Sequence, residues 1–128
     1  MREDHPLAGL ATITPTDIGQ YPLILLGAGR HWRTQVDTAF AAFGLRPAVA
    51  IETHTHGSAC ALAARGNGMA ILNELLVKPY LHAPLVTRPF QPPIAHEYAF
   101  AVSNVSRPSR LTLEFRNEVL AYFATRIA

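Results

Sequence analysis

Apolar residues along this chain fall into short runs separated by segments with helical spacing. Residues 21–26 form a continuous apolar run that ends at Gly27, which predicts a strand buried on both faces of a parallel sheet. Residues 48–52, after Pro47, and residues 69–72 predict two further strands of this kind. A fourth strand is predicted over residues 84–88.

Between the predicted strands, hydrophobic positions indicate helices. Residues 30–43 predict a helix with one apolar face, and Gly44 follows where a left-handed C-terminal cap is expected. The apolar face, expected to be core, consists of Trp32, Val36, Ala39, Phe40 and Phe43. A second helix, capped by Thr53 or Thr55, is expected to run to Ala64 and stop at Gly66. Asn73 is expected to cap a brief helix over residues 74–77 that Pro79 ends.

This alternation of strands and helices predicts the fold class. Strand, helix, strand, helix, strand at this spacing requires right-handed crossovers, so residues 20–88 predict an α/β unit with an open parallel sheet and helices on both faces. The first dozen residues lack periodicity and predict a linker, followed by extended chain and a short capped turn at residues 14–17.

The character of the chain changes after residues 90–93. One strand is predicted over residues 95–102, followed by a final helix to about Arg126 with a broad apolar face. The apolar residues of this helix are Leu111, Leu113, Phe115, Val119, Leu120, Tyr122, Phe123 and Ile127. A single strand and helix cannot bury such a face, so we expect them to need a sheet that this chain does not supply in full.

Composition narrows the functional classes. Hydrophobic residues make up 49% of the 128 residues and charged residues 16%, which favours a compact globule over a disordered chain. The formal charge of +2 comes from scattered Arg and Lys, so we do not expect this chain to contact DNA directly. A single cysteine, Cys60, excludes an internal disulfide. No membrane span or signal peptide is evident, and we expect a cytoplasmic location.

Two loops and one further residue are candidates for ligand binding. In open α/β sheets, ligands sit outside the carboxyl ends of the strands, near the N–H groups that begin helices. Residues 27–32 and 53–57 follow the first and second strands, and Asn73 follows the third. The candidate ligand-binding residues are Gly29, Arg30, His31, Thr53, His54, Thr55 and Asn73. The structural alternative is that the glycines shape a turn, the arginines are solvated and the threonines only cap.

Metal and catalytic chemistry are not expected. His56 and Cys60, four residues apart, would share a helical face close to His54, but no further ligand completes a zinc site. Ser58 and His56 suggest a small hydrolase, yet nothing in the sequence orients the imidazole. The glycines at residues 27–29 are too few for a dinucleotide fingerprint. We therefore expect a binding module that uses no cofactor.

The chain as a whole resembles the C-terminal half of the effector-binding domain of LysR-type bacterial transcription regulators. The resemblance rests on five segments in order: HPLA at residues 5–8, PLILLGAGRHWR at 22–33, GLRPAVAIET at 44–53, ACALAARGNGMAIL at 59–72, and RPSRLTLEF at 107–115.

This resemblance implies an architecture similar to that of periplasmic binding proteins, with two α/β subdomains around a small effector. Residues 5–90 would form the second subdomain, and residues 94–128 would return to the first. The effector would be an amino acid, an opine or an organic acid. The protein would dimerise head to tail, using the exposed edge of the helix at 30–43, and would bind DNA through an N-terminal helix-turn-helix that has no counterpart in this sequence. The alternative is a structural or dimerisation module without a ligand.

Overall fold

The structure is a computed structural model that describes residues 1–82, 84–103 and 105–125. The chain forms two compact units, Met1–His96 and Glu97–Ala128. Within the described residues, no helix is long and apolar enough to cross a bilayer.

The first unit contains a three-stranded parallel sheet. Its strands are β1 (Leu23–Leu26), β2 (Val49–Thr53) and β3 (Met69–Ala70), in the order β2-β1-β3. All four residues of β1 are buried, as expected for a central strand covered on both faces. The three strands confirm the predicted parallel arrangement, although β3 is only half as long as the apolar run that predicted it.

The described residues form five α-helices. They are α1 (Pro15–Ile18), α2 (His31–Ala41), α3 (His56–Ala64), α4 (Glu74–Val77) and α5 (Arg110–Ala124). Two 3-10 helices, Pro6–Gly9 and Lys78–Tyr80, complete the regular structure of the described residues. The helix α4 ends at Val77, before Pro79, as predicted. A 3-10 helix that contains Pro79 follows it directly.

The helices α2 and α3 cover opposite faces of the sheet, as predicted. Val36 and Phe40 of α2 are fully buried in a cluster with Leu23 and Leu25 of β1. On the other face, Ala59 and Ala63 of α3 pack with Ile24. The small side chains of α3 allow its backbone to approach the sheet closely.

The prediction that Phe43 belongs to the core is wrong, because its side chain is 46% exposed whereas Phe40 is fully buried. The helix α2 ends at Ala41, so the helical spacing that placed Phe43 among the core residues no longer applies at that position. The predicted left-handed conformation of Gly44 is confirmed, with φ 68°.

The N-terminal segment is integral to the first unit, which corrects the prediction of a linker. Ala8 and Ile13 are buried, and the side chains of Thr14 and Asp17 form a reciprocal capping box at the start of α1. The sequence did not indicate this packing, because residues in 3-10 helices and irregular segments are buried without a regular spacing of apolar positions.

Residues 84–88 form no strand, which corrects a second prediction. Leu85 makes only an isolated antiparallel bridge to Arg2, and Val86 donates its backbone N–H to the Met1 carbonyl at 2.9 Å. The partner of this segment is thus the irregular N-terminus and not the sheet. Pro84 and Pro89 also lack the N–H groups that a ladder requires.

In the second unit, α5 begins at an N-cap provided by Ser109, whose hydroxyl accepts the Thr112 N–H at 3.1 Å. Aromatic rings of the preceding segment contact the helix: Phe100 lies 6.0 Å from Phe115 and Tyr98 lies 5.9 Å from Phe123, between ring centroids. The strand predicted over residues 95–102 is not formed, since the described chain offers it no ladder partner. Arg126 and Ile127 lie outside the described residues.

Candidate functional site

Three loops meet at one edge of the sheet because all three strands run parallel. The register pairs Leu26 at the end of β1 with Thr53 at the end of β2, and the Gly27 N–H donates to the Thr53 carbonyl at 3.0 Å. The third loop, residues 71–73, follows β3, which pairs with the other side of β1. We call this border, formed by residues 27–31, 53–56 and 71–73, the carboxyl edge.

The first two loops are in close contact. A Cβ atom at Gly27 would lie 3.4 Å from Cε1 and 3.5 Å from Nδ1 of His54, so glycine allows the imidazole to lie against the backbone of the first loop. Gly29 then takes φ 80°, which favours glycine, and turns the chain into α2. The loop brings Arg30 and His31 to the start of α2, where both side chains are exposed.

An ion-pair network fixes the base of the first loop. The Arg33 Nη1 donates to Glu52 Oε1 at 2.6 Å and to the Leu26 carbonyl at 3.3 Å, while its Nε donates to Asp37 Oδ1 at 3.1 Å. The Arg33 hydrogen bond lowers the pKa of the Glu52 carboxyl, and a hydrogen bond from the Ala28 backbone N–H contributes in the same direction. Glu52 is therefore ionised at neutral pH and ties α2, β2 and the loop together.

A second set of contacts joins α2 to the end of β3. The Trp32 indole Nε1 donates to the Ile71 carbonyl at 3.3 Å, and the His96 imidazole makes an edge contact with the Trp32 ring, 5.5 Å between centroids. Burial lowers the pKa of the His56 imidazole, and the charge of His96 lowers it further. Both histidines belong to the first unit.

The predicted site residues all lie at the carboxyl edge, but their present roles differ. Gly29, Arg30, His31 and His54 are exposed, whereas Thr53 is buried at 8% exposure. Arg30 is the N-cap residue of α2 and makes no side-chain cap bond. Thr55, and not Thr53, caps α3, since its hydroxyl accepts the Ser58 N–H at 3.1 Å. The Asn73 side chain caps α4 by accepting the Leu75 N–H at 3.0 Å.

Sequence reasoning missed the contacts of Arg33, Glu52 and His96 beside this edge. It also did not assign His56, which lies at the edge, to a ligand site. Helical spacing does place Arg33 next to Asp37, but its bonds to Glu52 and Leu26 depend on the sheet. His96 lies 40 positions after His56 in the printed sequence, and no local pattern connects them. The one sequence feature that could have indicated His56 as a site residue is its position shortly after the strand that ends at residue 53.

The chemical groups at this edge suit polar recognition. In the described part of the chain, no group of three His, Cys, Asp or Glu residues is arranged to hold a metal ion. Cys60 is buried, and burial raises the pKa of its thiol. The Ser58 hydroxyl accepts a hydrogen bond from the Thr55 hydroxyl at 2.8 Å, which links it to a helix cap.

A separate open groove of about 570 Å³ runs along α2 from Arg33 to Pro47. Its cationic residues are Arg33, which is already paired with two carboxylates, and Arg46. The groove reaches the turn at the far end of α2, where Gly44 and Leu45 line it, and therefore most of it lies away from the carboxyl edge.

Comparison with known proteins gives a consistent result. The family model described as LysR substrate binding domain matches residues 1–124. The regulatory protein NocR of Agrobacterium tumefaciens (strain T37) is 30% identical over 116 residues, which cover 91% of this chain and 39% of NocR. The transcriptional activator protein LysR of Escherichia coli (strain K12) is 31% identical over 86 residues, covering 67% of this chain and 28% of that protein. The chain thus spans about two fifths or less of the length of these curated relatives.

Two solved structures have the same fold. The effector binding domain of QuiR, in complex with shikimate, superposes with a TM-score of 0.74 at 19% identity, over 98% of this chain and 60% of that one. The CcmR regulatory domain of Synechocystis PCC6803, in complex with 2-PG, gives a TM-score of 0.72 at 22% identity, over 94% of this chain and 59% of that one.

Proposed function

The chain belongs to the LysR substrate binding domain family, and from that premise we propose that its carboxyl edge binds a small metabolite that controls a transcription regulator. The observation that carries the proposal is the convergence of three loops, with the exposed Arg30 and His31 at the first turn of α2. Helix N–H groups and a guanidinium at such an edge favour a ligand with a carboxylate.

The proposed recognition is polar and involves no bond cleavage. Arg30 or His31 pairs with the ligand carboxylate, and the hydroxyl of Thr53 and exposed backbone N–H groups complete the contacts. Gly29 and His54 line the approach, while Thr55 and Asn73 hold the two following helices in place through their caps. The ligand class we propose is an amino acid, an opine or an organic acid. The QuiR and CcmR structures, which contain shikimate and 2-PG, support a small-molecule ligand.

The regulatory step we propose is a shift in population between an open and a closed state. Residues 5–90 form one subdomain of the sensor, and residues 94–128 return to the other. The division of the chain after His96 supports this assignment. The parent protein acts in the cytoplasm as a dimer, catalyses no reaction, and contacts DNA through a part outside this chain.

Isothermal titration calorimetry of the full-length protein against a panel of amino acids and organic acids tests the proposal. We expect at least one saturable ligand, and Arg30→Ala should weaken it about 10-fold or more, because a charge-assisted hydrogen bond contributes about 1.5–3 kcal/mol. Arg65→Ala is the matched control, since Arg65 is an exposed arginine at the other end of α3. Flat traces across the panel would contradict the proposed ligand class.

A further inference from the structure

The two arginines at the start of α2 have different surroundings. Arg30, the N-cap residue, is exposed, and among the ion pairs of the described residues none involves it. The Arg33 side chain is only 13% exposed and pairs with both Glu52 and Asp37. The positive charge of Arg33 is therefore already balanced, and of the two arginines Arg30 is the one that an anionic ligand can reach.

The first loop, residues 27–31, has few side chains that could fix its conformation. Residues 28–31 are all exposed, and Gly29 has φ 80°. One main-chain hydrogen bond, from the Gly27 N–H to the Thr53 carbonyl at 3.0 Å, holds its first residue. A glycine-containing backbone has many alternative conformations unless further contacts restrict it. The position of Arg30 at the end of this loop therefore depends on what else holds the backbone.

One side-chain pair, Glu52 with Arg33, holds the backbone on both sides of Gly27. The Arg33 Nη1 donates to the Leu26 carbonyl at 3.3 Å, and the Ala28 N–H donates to the Glu52 carboxylate. The same Arg33 Nη1 donates to Glu52 Oε1 at 2.6 Å, which joins the two contacts. The carbonyl before the loop and the second N–H within it are thus bound to one ion pair.

The charges around Glu52 favour this arrangement. The hydrogen bond from Arg33 is the largest cause of the lowered pKa of the Glu52 carboxyl, and the Ala28 N–H and the charge of His54 act in the same direction. The nearby carboxylate of Asp37 is itself bonded to Arg33 Nε at 3.1 Å. Glu52 therefore accepts the Ala28 N–H as a full anion, and hydrogen bonds to charged acceptors are stronger than those to neutral ones.

Resting on the function proposed above, we infer that Glu52 is a positioning residue: together with Arg33 it holds the first loop in the conformation that presents Arg30 to the ligand. The Ala28 N–H is occupied by Glu52 and is not one of the backbone donors left for the ligand. A loop that is already ordered loses less conformational entropy when the ligand binds, so the Glu52–Arg33 pair increases affinity through Arg30.

The first test follows the loop without any ligand. Amide hydrogen exchange of the full chain is measured by NMR, and in Glu52→Gln the Ala28 amide should exchange about 10-fold faster, because a charge-assisted hydrogen bond becomes a neutral one. The Gly27 amide is the internal reference, since it is bonded to the Thr53 carbonyl, and its rate should change less than about 2-fold. An equal rise at both amides, or no change at Ala28, would overturn the inference.

A matched control removes a similar ion pair elsewhere. Glu114 accepts a hydrogen bond from Arg110 Nε at 2.7 Å within α5. Glu114→Gln therefore makes the same chemical change in an arginine–glutamate pair that does not contact the first loop. The exchange rates of Gly27 and Ala28 should be those of the unaltered chain, and faster exchange at Ala28 in this variant would show that the effect is not specific to Glu52.

The second test uses a pH titration that a purely structural role would not affect. The Ala28 amide proton resonance should shift together with the titration of the Glu52 carboxyl, and the shift should be absent in Glu52→Gln. Because the pKa of Glu52 is lowered in the folded chain, its hold on the loop is complete above the ordinary glutamate pKa and is lost as the pH falls through the lowered value. An Ala28 resonance that does not follow Glu52 would contradict the inference.

The third test separates this inference from the proposed function. For a panel ligand found by calorimetry, Glu52→Gln should raise the dissociation constant about 3- to 10-fold, the effect of ordering one further segment on binding, whereas Glu114→Gln should not change it. Unchanged affinity in Glu52→Gln would refute the positioning role and leave the ligand-binding function intact. Protection of Ala28 that depends on Glu52, without any panel ligand, would contradict the proposed ligand class and support the hold of Glu52 on the loop.

Discussion

Among the eight glycines, Gly68 is the one where an added Cβ would meet the backbone most closely. Its φ of 142° lies in the left-handed region, and a Cβ atom there would come within 2.5 Å of the Pro22 carbonyl oxygen. This oxygen belongs to the backbone immediately before β1, and the Met69 N–H at the start of β3 donates to it at 3.0 Å. A side chain would therefore displace the strand pairing itself.

We expect Gly68→Ala to lower the free energy of unfolding by about 2–4 kcal/mol, from backbone strain and the lost pairing. Gly9→Ala is the control, since an added Cβ at Gly9 meets nothing within 4 Å, and its effect should stay within about 0.5 kcal/mol. Urea unfolding followed by circular dichroism measures both. Equal stability of the two variants would contradict the crowding seen at Gly68.

Individual residues show where sequence reasoning succeeds. The cap formed by Asn73 was predicted, and Thr55 was one of two candidates for the cap of α3, because a cap is a local arrangement within three or four residues. The contact of His96 with Trp32 was not predicted, since it depends on how distant segments meet at the sheet. The network around Glu52 was missed for the same reason.

At the scale of elements, α2 shows how a helix boundary decides the core. The regular spacing predicted Phe40 and Phe43 as equivalent, but the helix ends at Ala41 and the chain turns at Gly44. Phe40 remains in the cluster with β1, and Phe43 is 46% exposed. Strands were predicted well where apolar runs were buried, whereas residues 84–88 and 95–102 failed because strand formation requires a partner as well as a pattern.

The two phenylalanines therefore form a matched pair for mutagenesis. Phe40→Ala should destabilise the chain by about 3–5 kcal/mol, because it removes a fully buried ring and leaves a cavity. Phe43→Ala should cost less than about 1 kcal/mol, since much of its ring already contacts solvent. Thermal and urea unfolding of both variants provide the comparison, and similar losses would show that Phe43 is part of the core after all.

At the scale of the whole molecule, the order of strands and helices was sufficient to predict an α/β fold with a parallel sheet. What the sequence could not supply was the irregular packing of the N-terminal segment, where Ala8 and Ile13 are buried without a periodic pattern. In the second unit, by contrast, a regular apolar pattern is largely exposed to solvent. Its helix α5 exposes large apolar side chains, with Leu111 at 74% and Phe115 at 60% exposure.

Apolar surface of this kind favours association. We expect the chain on its own to self-associate, with an apparent mass that rises with concentration in size-exclusion chromatography with light scattering. Leu111→Ser/Phe115→Ser should shift the chain toward the monomer, because it removes apolar area from one side of α5. Asn117→Ser on the same helix is the control and should leave the elution unchanged. A chain that is monomeric at all concentrations would contradict this expectation.

The position of Trp32 has a practical consequence for following the carboxyl edge in solution. It is the single tryptophan of the chain, its indole is anchored to the Ile71 carbonyl, and its ring touches the His96 imidazole. Because no second indole is present, tryptophan emission reports on one place alone. The intrinsic fluorescence of this molecule is therefore an optical signal from the start of α2, and a ligand that binds beside this indole can be followed without any attached dye.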